Sequence, residues 1–164
     1  MSVIRCALLA LAALTLPPPL PTPAAAAEGD EAAVRCLALT LFWEARSEGR
    51  AGMEAVAAVV LNRVRSPEFP DTVCGVVQDG TEEEGACAFT WWCDGEADIP
   101  AEYPDWPEER DHWALAEAVA REMLANPDRD VTGGALYYHT EDVQPAWAAE
   151  RRRVAKIGRH IYYR

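Results

Sequence analysis

Basic residues are scarce in this chain. Its 164 residues hold 15 Lys and Arg against 27 Asp and Glu, a formal net charge of −12. Duplex nucleic acid is bound by a basic face that displaces counterions from phosphates, so that class of partner is excluded. An anionic membrane surface is excluded for the same reason. Long apolar runs are lacking too. The N-terminal one passes from Cys6 to Leu16 and is stopped by Pro17, Pro18 and Pro19, well short of the roughly 20 residues that a spanning helix needs. No membrane span is therefore expected in the mature protein. Histidine is limited to His112, His139 and His160, none with a close helical partner. A zinc site wants paired ligands at short regular spacing, so no metal is expected, and no motif calls for a cofactor.

What is present is enough apolar material for one packed domain, since half of the residues are hydrophobic. Arg5, the apolar run and the small residues Ala25-Ala26-Ala27 read as a secretory signal peptide over residues 1–27, with Glu28 as the mature start. Residues 28–164 form a single domain with no internal repeat, and the protein is expected to be exported to the periplasm or cell envelope. Cysteine usage agrees. Outside the leader stand Cys36, Cys74, Cys87 and Cys93, and an even count in an exported chain implies two disulfides with three pairings open. Cys87 and Cys93 are close enough to staple a local loop; Cys36 and Cys74 would then tie the first helix to a distant segment.

The apolar positions Val34, Leu37, Ala38, Leu41 and Phe42 recur at three and four and predict a helix from Glu31 to Arg46. Gly49 and Gly52 break the pattern and predict a turn. Met53 to Val64 is apolar almost throughout, a second and largely buried helix, ended by Ser66-Pro67 and Phe69-Pro70. A short helix covers Thr72 to Gln78. Asp79 to Pro107 is rich in Gly, Pro and acid, carries Trp91, Trp92 and Trp106, and reads as a long surface loop. Asp111 is placed as N-cap of a helix from His112 to Ala125, stopped by Pro127. Two aromatic runs, Ala135–His139 and Ile157–Tyr163, predict a pair of strands. The fold class is α+β, mainly helical, with a small antiparallel sheet near the C-terminus.

The string Phe42-Trp43-Glu44-Ala45-Arg46-Ser47-Glu48-Gly49 sets a carboxylate at the end of an apolar helix, directly after two aromatics. Desolvation beside aromatic rings disfavours the charged form and raises the pKa of Glu44. A carboxyl still protonated near neutral pH is what a general acid needs to protonate a glycosidic oxygen. Glu48 lies one helical turn on, where both carboxylates can share a face.

From Leu37 through Phe42-Trp43-Glu44-Ala45-Arg46 to Gly49, the chain resembles the signature of the SleB-type cell wall hydrolases, the spore cortex-lytic enzyme family. The likeness continues through Gly52, Val56-Ala57 and Val60-Leu61-Asn62-Arg63-Val64, then Phe69-Pro70-Asp71-Thr72-Val73-Cys74-Gly75-Val76-Val77. It resumes at Cys87-Ala88-Phe89-Thr90-Trp91-Trp92-Cys93-Asp94-Gly95, at Tyr138-His139, at Val143 and Pro145-Ala146-Trp147, and at Ile157 to Tyr163. It spans nearly all of residues 34–163, in order. It implies a lysozyme-like domain that cleaves peptidoglycan glycan strands between N-acetylmuramic acid and N-acetylglucosamine, as a lytic transglycosylase with a single acid. That acid maps to Glu44. The family's second recurring glutamate maps to Glu48, a catalytic candidate whose role stays open. A hydrolase would need another carboxylate, at about 5–5.5 Å or 6.5–9.5 Å from the first, with Glu48, Glu54 and Asp94 as candidates. Ser47 stands where the family often has Gly, and Ala88 where it commonly has Gln.

Substrate-binding candidates are Gln78, Phe89, Trp91, Trp92, Tyr138, His139 and Trp147. Exposed indoles stack on sugar faces, and at least one of the two adjacent tryptophans should line the cleft. Asn62 and Arg63 close a buried helix and can hold a carboxylate or cap the helix end, since buried polar groups demand partners. His160 is read as a core residue. Arg151-Arg152-Arg153, the basic cluster, could receive wall carboxylates or lie on a solvated helix face. With no second wall-binding domain in view, positioning falls to a wall-associated protein partner. The rival readings are a metal-dependent N-acetylmuramoyl-L-alanine amidase, a thiol hydrolase pairing a Cys with His139, and a non-catalytic peptidoglycan-binding module.

Overall fold

The computed structural model describes residues 23–80, 87–95 and 107–164. Four α-helices and a three-stranded sheet make up these parts: α1 (Pro23–Ala45), α2 (Gly49–Arg65), α3 (Val73–Val77), α4 (Pro107–Ala125), β1 (Tyr137–Thr140), β2 (Arg153–Ile157) and β3 (His160–Tyr163). No described helix is long and apolar enough to cross a membrane. The predicted leader lies outside the described residues except for 23–27, which begin α1, and so do residues 81–86 and 96–106 of the predicted loop, Trp106 among them.

The near-continuous apolar run of α2 is explained by what surrounds it. Val56, Ala57, Val60 and Leu61 pack among Leu37, Leu41 and Phe42 of α1, Val76 of α3 and Val119 and Met123 of α4. Ala55 and Val59 meet Ala135 and Tyr162 under the sheet. A helix covered on both sides has no polar face to show. The cysteines pair as Cys36–Cys74 and Cys87–Cys93. The first fastens α1 to α3, whose N-cap Thr72 accepts the N–H of Gly75 at 3.1 Å.

Three expectations need correction. Gly52 lies inside α2, not in a turn: it is fully buried, and a Cβ there would collide with the side chain of Glu48. The glycine permits a close approach, and of the two only Gly49 has a positive φ (+62°). The last long helix starts at Pro107, so Asp111 is interior; proline suits a first helical position, where its missing N–H would be unpaired anyway. The sheet has three strands in the order β1-β3-β2, all antiparallel. The added strand holds Arg153, so the basic cluster is not a helix face. Arginine and lysine on an edge strand read as solvated surface, yet they are what protects an edge from pairing with other chains.

The C-terminal end of α2 sets the position of β1. Asn62 Nδ2 donates to the carbonyl of Ala135 at 3.0 Å, and Arg63 Nε donates to that of Leu136 at 2.8 Å. These anchors fix the two residues that lead into Tyr137 and Tyr138.

Candidate active site

Glu44 occupies the last turn of α1, between half-buried Trp43 and buried Ala45, and is itself half-buried. Tyr138 Oη donates to its Oε2 at 2.8 Å. Burial raises the pKa of Glu44 above the ordinary carboxylate range, opposed by the Tyr138 hydrogen bond and by the positive charge of Arg63. Tyr138 is pushed well above the usual phenol range, first by burial and then by the negative charge of Glu44. The phenol therefore stays protonated and acts as a donor. Arg63 is 8% exposed, and its guanidinium carbon lies 5.2 Å from the ring centre of Phe69, 5.4 Å from Phe89 and 5.9 Å from Tyr137. Burial lowers its pKa, but a guanidinium starts so high that it remains a cation.

Behind Tyr138 stand His160, edge-on at 5.1 Å between ring centres, and Tyr162 at 5.8 Å. Burial lowers the pKa of His160, with Glu48 opposing and Arg159 and His139 adding to the fall. His160 is 3% exposed, a packed core residue as expected.

Glu48 does not continue α1. The helix ends at Ala45, and residues Arg46–Glu48 form a 3-10 turn. The carboxylate of Glu48 turns toward the β2–β3 connection, where Oε2 accepts the backbone N–H of Arg159 at 3.0 Å. Gly158 (φ +56°) makes room for it, since a Cβ there would strike Oε2. Among the other carboxylates, Glu54 is held by Arg129 at 2.8 Å and Arg50 at 3.7 Å, while Asp94 is exposed.

The aromatic candidates divide. Trp92 is 40% exposed and can offer a ring face, whereas Trp91 at 6% and Phe89 at 2% are core residues. The Cys87–Cys93 staple folds these two inward, Phe89 beneath the guanidinium of Arg63. His139 is a correction as well. Its Nδ1 lies 2.8 Å from the carbonyl of Thr140 and its Nε2 2.9 Å from Tyr163 Oη. A carbonyl can only accept, so Nδ1 carries the proton, Nε2 accepts from the phenol, and both ring nitrogens are spent on structure. Trp147 is half-buried in the same cluster, 5.7 Å from Tyr137, 5.6 Å from His139 and 5.5 Å from Tyr163. Gln78 is exposed at the end of α3. Both described cysteine pairs are oxidised, so the thiol-hydrolase reading lacks its nucleophile among the described residues. Sequence reasoning missed the seat of Glu48; the one available signal was Gly158 inside the β-prone run Ile157–Tyr163.

A family profile described as Cell Wall Hydrolase matches residues 47–163, beginning three residues after Glu44. Spore cortex-lytic enzymes are similar over 79% of the chain. That of Halalkalibacterium halodurans is 34% identical over 130 residues, and that of Bacillus cereus 35% over 130. The chain spans 34% and 43% of the lengths of these two relatives. Among solved structures, the catalytic domain of the germination-specific lytic transglycosylase SleB from Bacillus anthracis superposes with a TM-score of 0.61 at 33% identity, over 84% of this chain and 95% of that one. The catalytic domain of the Bacillus cereus SleB protein gives 0.60 at 33% identity, over 84% and 91%. With a profile that covers most of the chain, and with solved domains 33% identical over 84% of it, the chain belongs to the cell wall hydrolase family.

Proposed function

We propose that this protein cleaves the glycan strand of peptidoglycan between N-acetylmuramic acid and N-acetylglucosamine as a lytic transglycosylase, with Glu44 as its single acid and base. The observation that carries this reading is a half-buried carboxyl of raised pKa with one oxygen held by Tyr138. Glu44 gives its proton to the glycosidic oxygen as the bond to the muramoyl C1 breaks and an oxocarbenium-like centre develops. N-acetylglucosamine leaves with a free hydroxyl. The Glu44 carboxylate then takes the proton of the muramoyl 6-hydroxyl, whose oxygen closes on C1 as a 1,6-anhydro ring, and the acid is restored. No water is consumed, so no second carboxylate is required. Tyr138 and Arg63 favour the carboxylate formed after the first transfer, Tyr138 by a hydrogen bond and Arg63 by charge.

Trp92 supplies a stacking surface for a sugar. Glu48 acts by holding the β2–β3 turn, whose next residues, His160 and Tyr162, back Tyr138. Two disulfides support a place of action outside the reducing cytoplasm, in the periplasm or cell envelope. The test is mass spectrometry of fragments released from purified peptidoglycan by the protein and by Glu44→Gln. Anhydro-muramoyl products, lighter by one water than hydrolysed ones and absent with the variant, are expected. Free stem peptides would overturn the reading in favour of an amidase, and reducing-end muramoyl products in favour of a hydrolase.

A further inference from the structure

The geometry points to a second substrate contact, an oxyanion pocket that takes the carboxylates of the peptide stems borne by the glycan; it rests on the glycan-cleaving reading above. The pocket has a volume of about 460 Å³ and lies between the end of α2, the start of β1 and the close of β3, with Arg65, Glu68, Gly134, Tyr137, Arg151 and Arg164 on its walls.

Three guanidiniums converge there in a chain of net charge −12. Several arginines outside the pocket are matched with acid: Arg50 with Glu122 at 2.8 Å, Arg121 with Glu31 at 2.7 Å and Arg129 with Glu54 at 2.8 Å. Arg151 and Arg164 have no carboxylate partner among the described residues. The Arg151 guanidinium carbon lies 3.5 Å from the centre of the Tyr137 ring. Such stacking orders the fork and leaves its N–H edge free to donate. Arg164 is fixed through its backbone, which exchanges hydrogen bonds of 3.2 and 2.9 Å with Arg152. Its guanidinium crosses Gly134, where a Cβ would come within 3.5 Å of it. Arg65 is steadied by Asn62 Oδ1 at 2.7 Å and by the carbonyl of Pro127, and it pairs at 4.0 Å with exposed Asp128. Glu68, the one carboxylate on the wall, makes no ion pair with these arginines; its backbone N–H bonds Ser66 Oγ at 3.3 Å. Arg151 and Arg164, ordered and without a carboxylate partner beside a concavity, make a site for an oxyanion, which a guanidinium can grip in bidentate fashion.

The placement relative to Glu44 favours a stem peptide. Successive strand residues point to opposite faces, so Tyr137 looks into the pocket while Tyr138 holds Glu44. β1 is an edge strand, and a peptide leaving a glycan at Glu44 can pass round that edge. An extended stem of four residues reaches roughly 13 Å.

The experiment titrates the full chain with N-acetylmuramoyl tripeptide, in its free-carboxylate form and with its carboxylates amidated, following arginine Nε–H resonances by NMR. The free form should saturate the protein, and amidation should weaken binding by about tenfold or more, as expected for loss of a charge-assisted contact. The double variant Arg151→Gln/Arg164→Gln should lose a comparable factor, and Arg153→Gln, on the exposed β2 edge, should lose nothing. If the double variant does not melt like the parent, exposed Arg164→Gln alone is the readout, with a smaller loss. Equal binding of the amidated probe, undiminished binding by a folded pocket variant, or tighter binding of a stem-free anionic wall polymer would overturn the site. Fragment release by the same samples separates the two ideas. Arginine-dependent binding without release by the parent protein sinks glycan cleavage, whereas release with binding that ignores Arg151 and Arg164 sinks only the pocket.

Discussion

Tyr138 Oη donates to Glu44 Oε2 at 2.8 Å, joining the end of the first helix to a strand 94 residues later. The two groups titrate in ranges that suit the partnership. Burial and the charge of Glu44 keep the phenol protonated, and the phenol in turn restrains the rise in the pKa of Glu44. In the proposed reaction the carboxyl is thus an acid whose conjugate base has a waiting donor.

Tyr138→Phe removes that donor and leaves burial as the dominant influence on Glu44. Its pKa must then rise further, so the alkaline limb of the kcat/KM profile, where the acid is lost, should move to higher pH. Turnover should fall about tenfold, because the carboxylate that receives the 6-hydroxyl proton loses a hydrogen bond to a charged group. An alkaline limb that does not move would separate Tyr138 from the acid.

The raised pKa of Glu44 also has a consequence for stability that needs no substrate. A group whose pKa is higher folded than unfolded stabilises the fold fully below its unfolded value, and that contribution is lost as pH rises through the folded value. Thermal unfolding of the parent should therefore lose stability across that window. Glu44→Gln, always neutral, should show a flatter profile there. Parallel profiles for the two proteins would mean that Glu44 is not desolvated.

The sequence was legible where one local pattern decides the outcome. α2 announces its burial by an almost unbroken apolar run, and Tyr137 to His139 announces a strand. Other features depend on partners far along the chain. Gly52 looks like a helix breaker until Glu48 is seen packed on it. Arg151-Arg152-Arg153 looks like a helix face until Arg153 is seen opposite Tyr163 in the sheet. Phe89 and His139 carry chemistry that suits a sugar, yet Arg63 covers the first and Thr140 and Tyr163 consume the second. The raised pKa of Glu44 was readable from Phe42-Trp43-Glu44, but its bond to Tyr138 has no local trace.

The Cys36–Cys74 bridge ties α1, which bears Glu44, to α3 across a separation of 38 residues. Closing a loop of that length restricts the unfolded chain by about 3–4 kcal/mol in the chain-entropy model. The double variant Cys36→Ser/Cys74→Ser should lose that order of stability in denaturant titration. Reduction of the parent, which opens Cys87–Cys93 as well, should lower its midpoint at least as far. A loss well under 1 kcal/mol would mean that apolar packing between α1 and α3 already fixes their relation.

Glu48 is the sharper test of how many carboxylates the reaction uses. Its side chain rests on Gly52, its carboxylate sits over Gly158, and its Oε2 receives the N–H of Arg159. Glutamine can accept that same N–H and fill the same seat, so Glu48→Gln should keep turnover within about threefold of the parent. Glu48→Ala leaves the donor without its partner and empties the seat, at a cost of about 1–2 kcal/mol, and turnover should fall as the turn behind His160 and Tyr162 loosens. Gly158→Ala should be worse still, because the new methyl meets the Glu48 carboxylate in a left-handed backbone conformation. Thermal unfolding alongside product analysis checks all three. If Glu48→Gln melts like the parent yet releases nothing, Glu48 is a second reacting carboxylate and the single-acid mechanism gives way to a hydrolytic one.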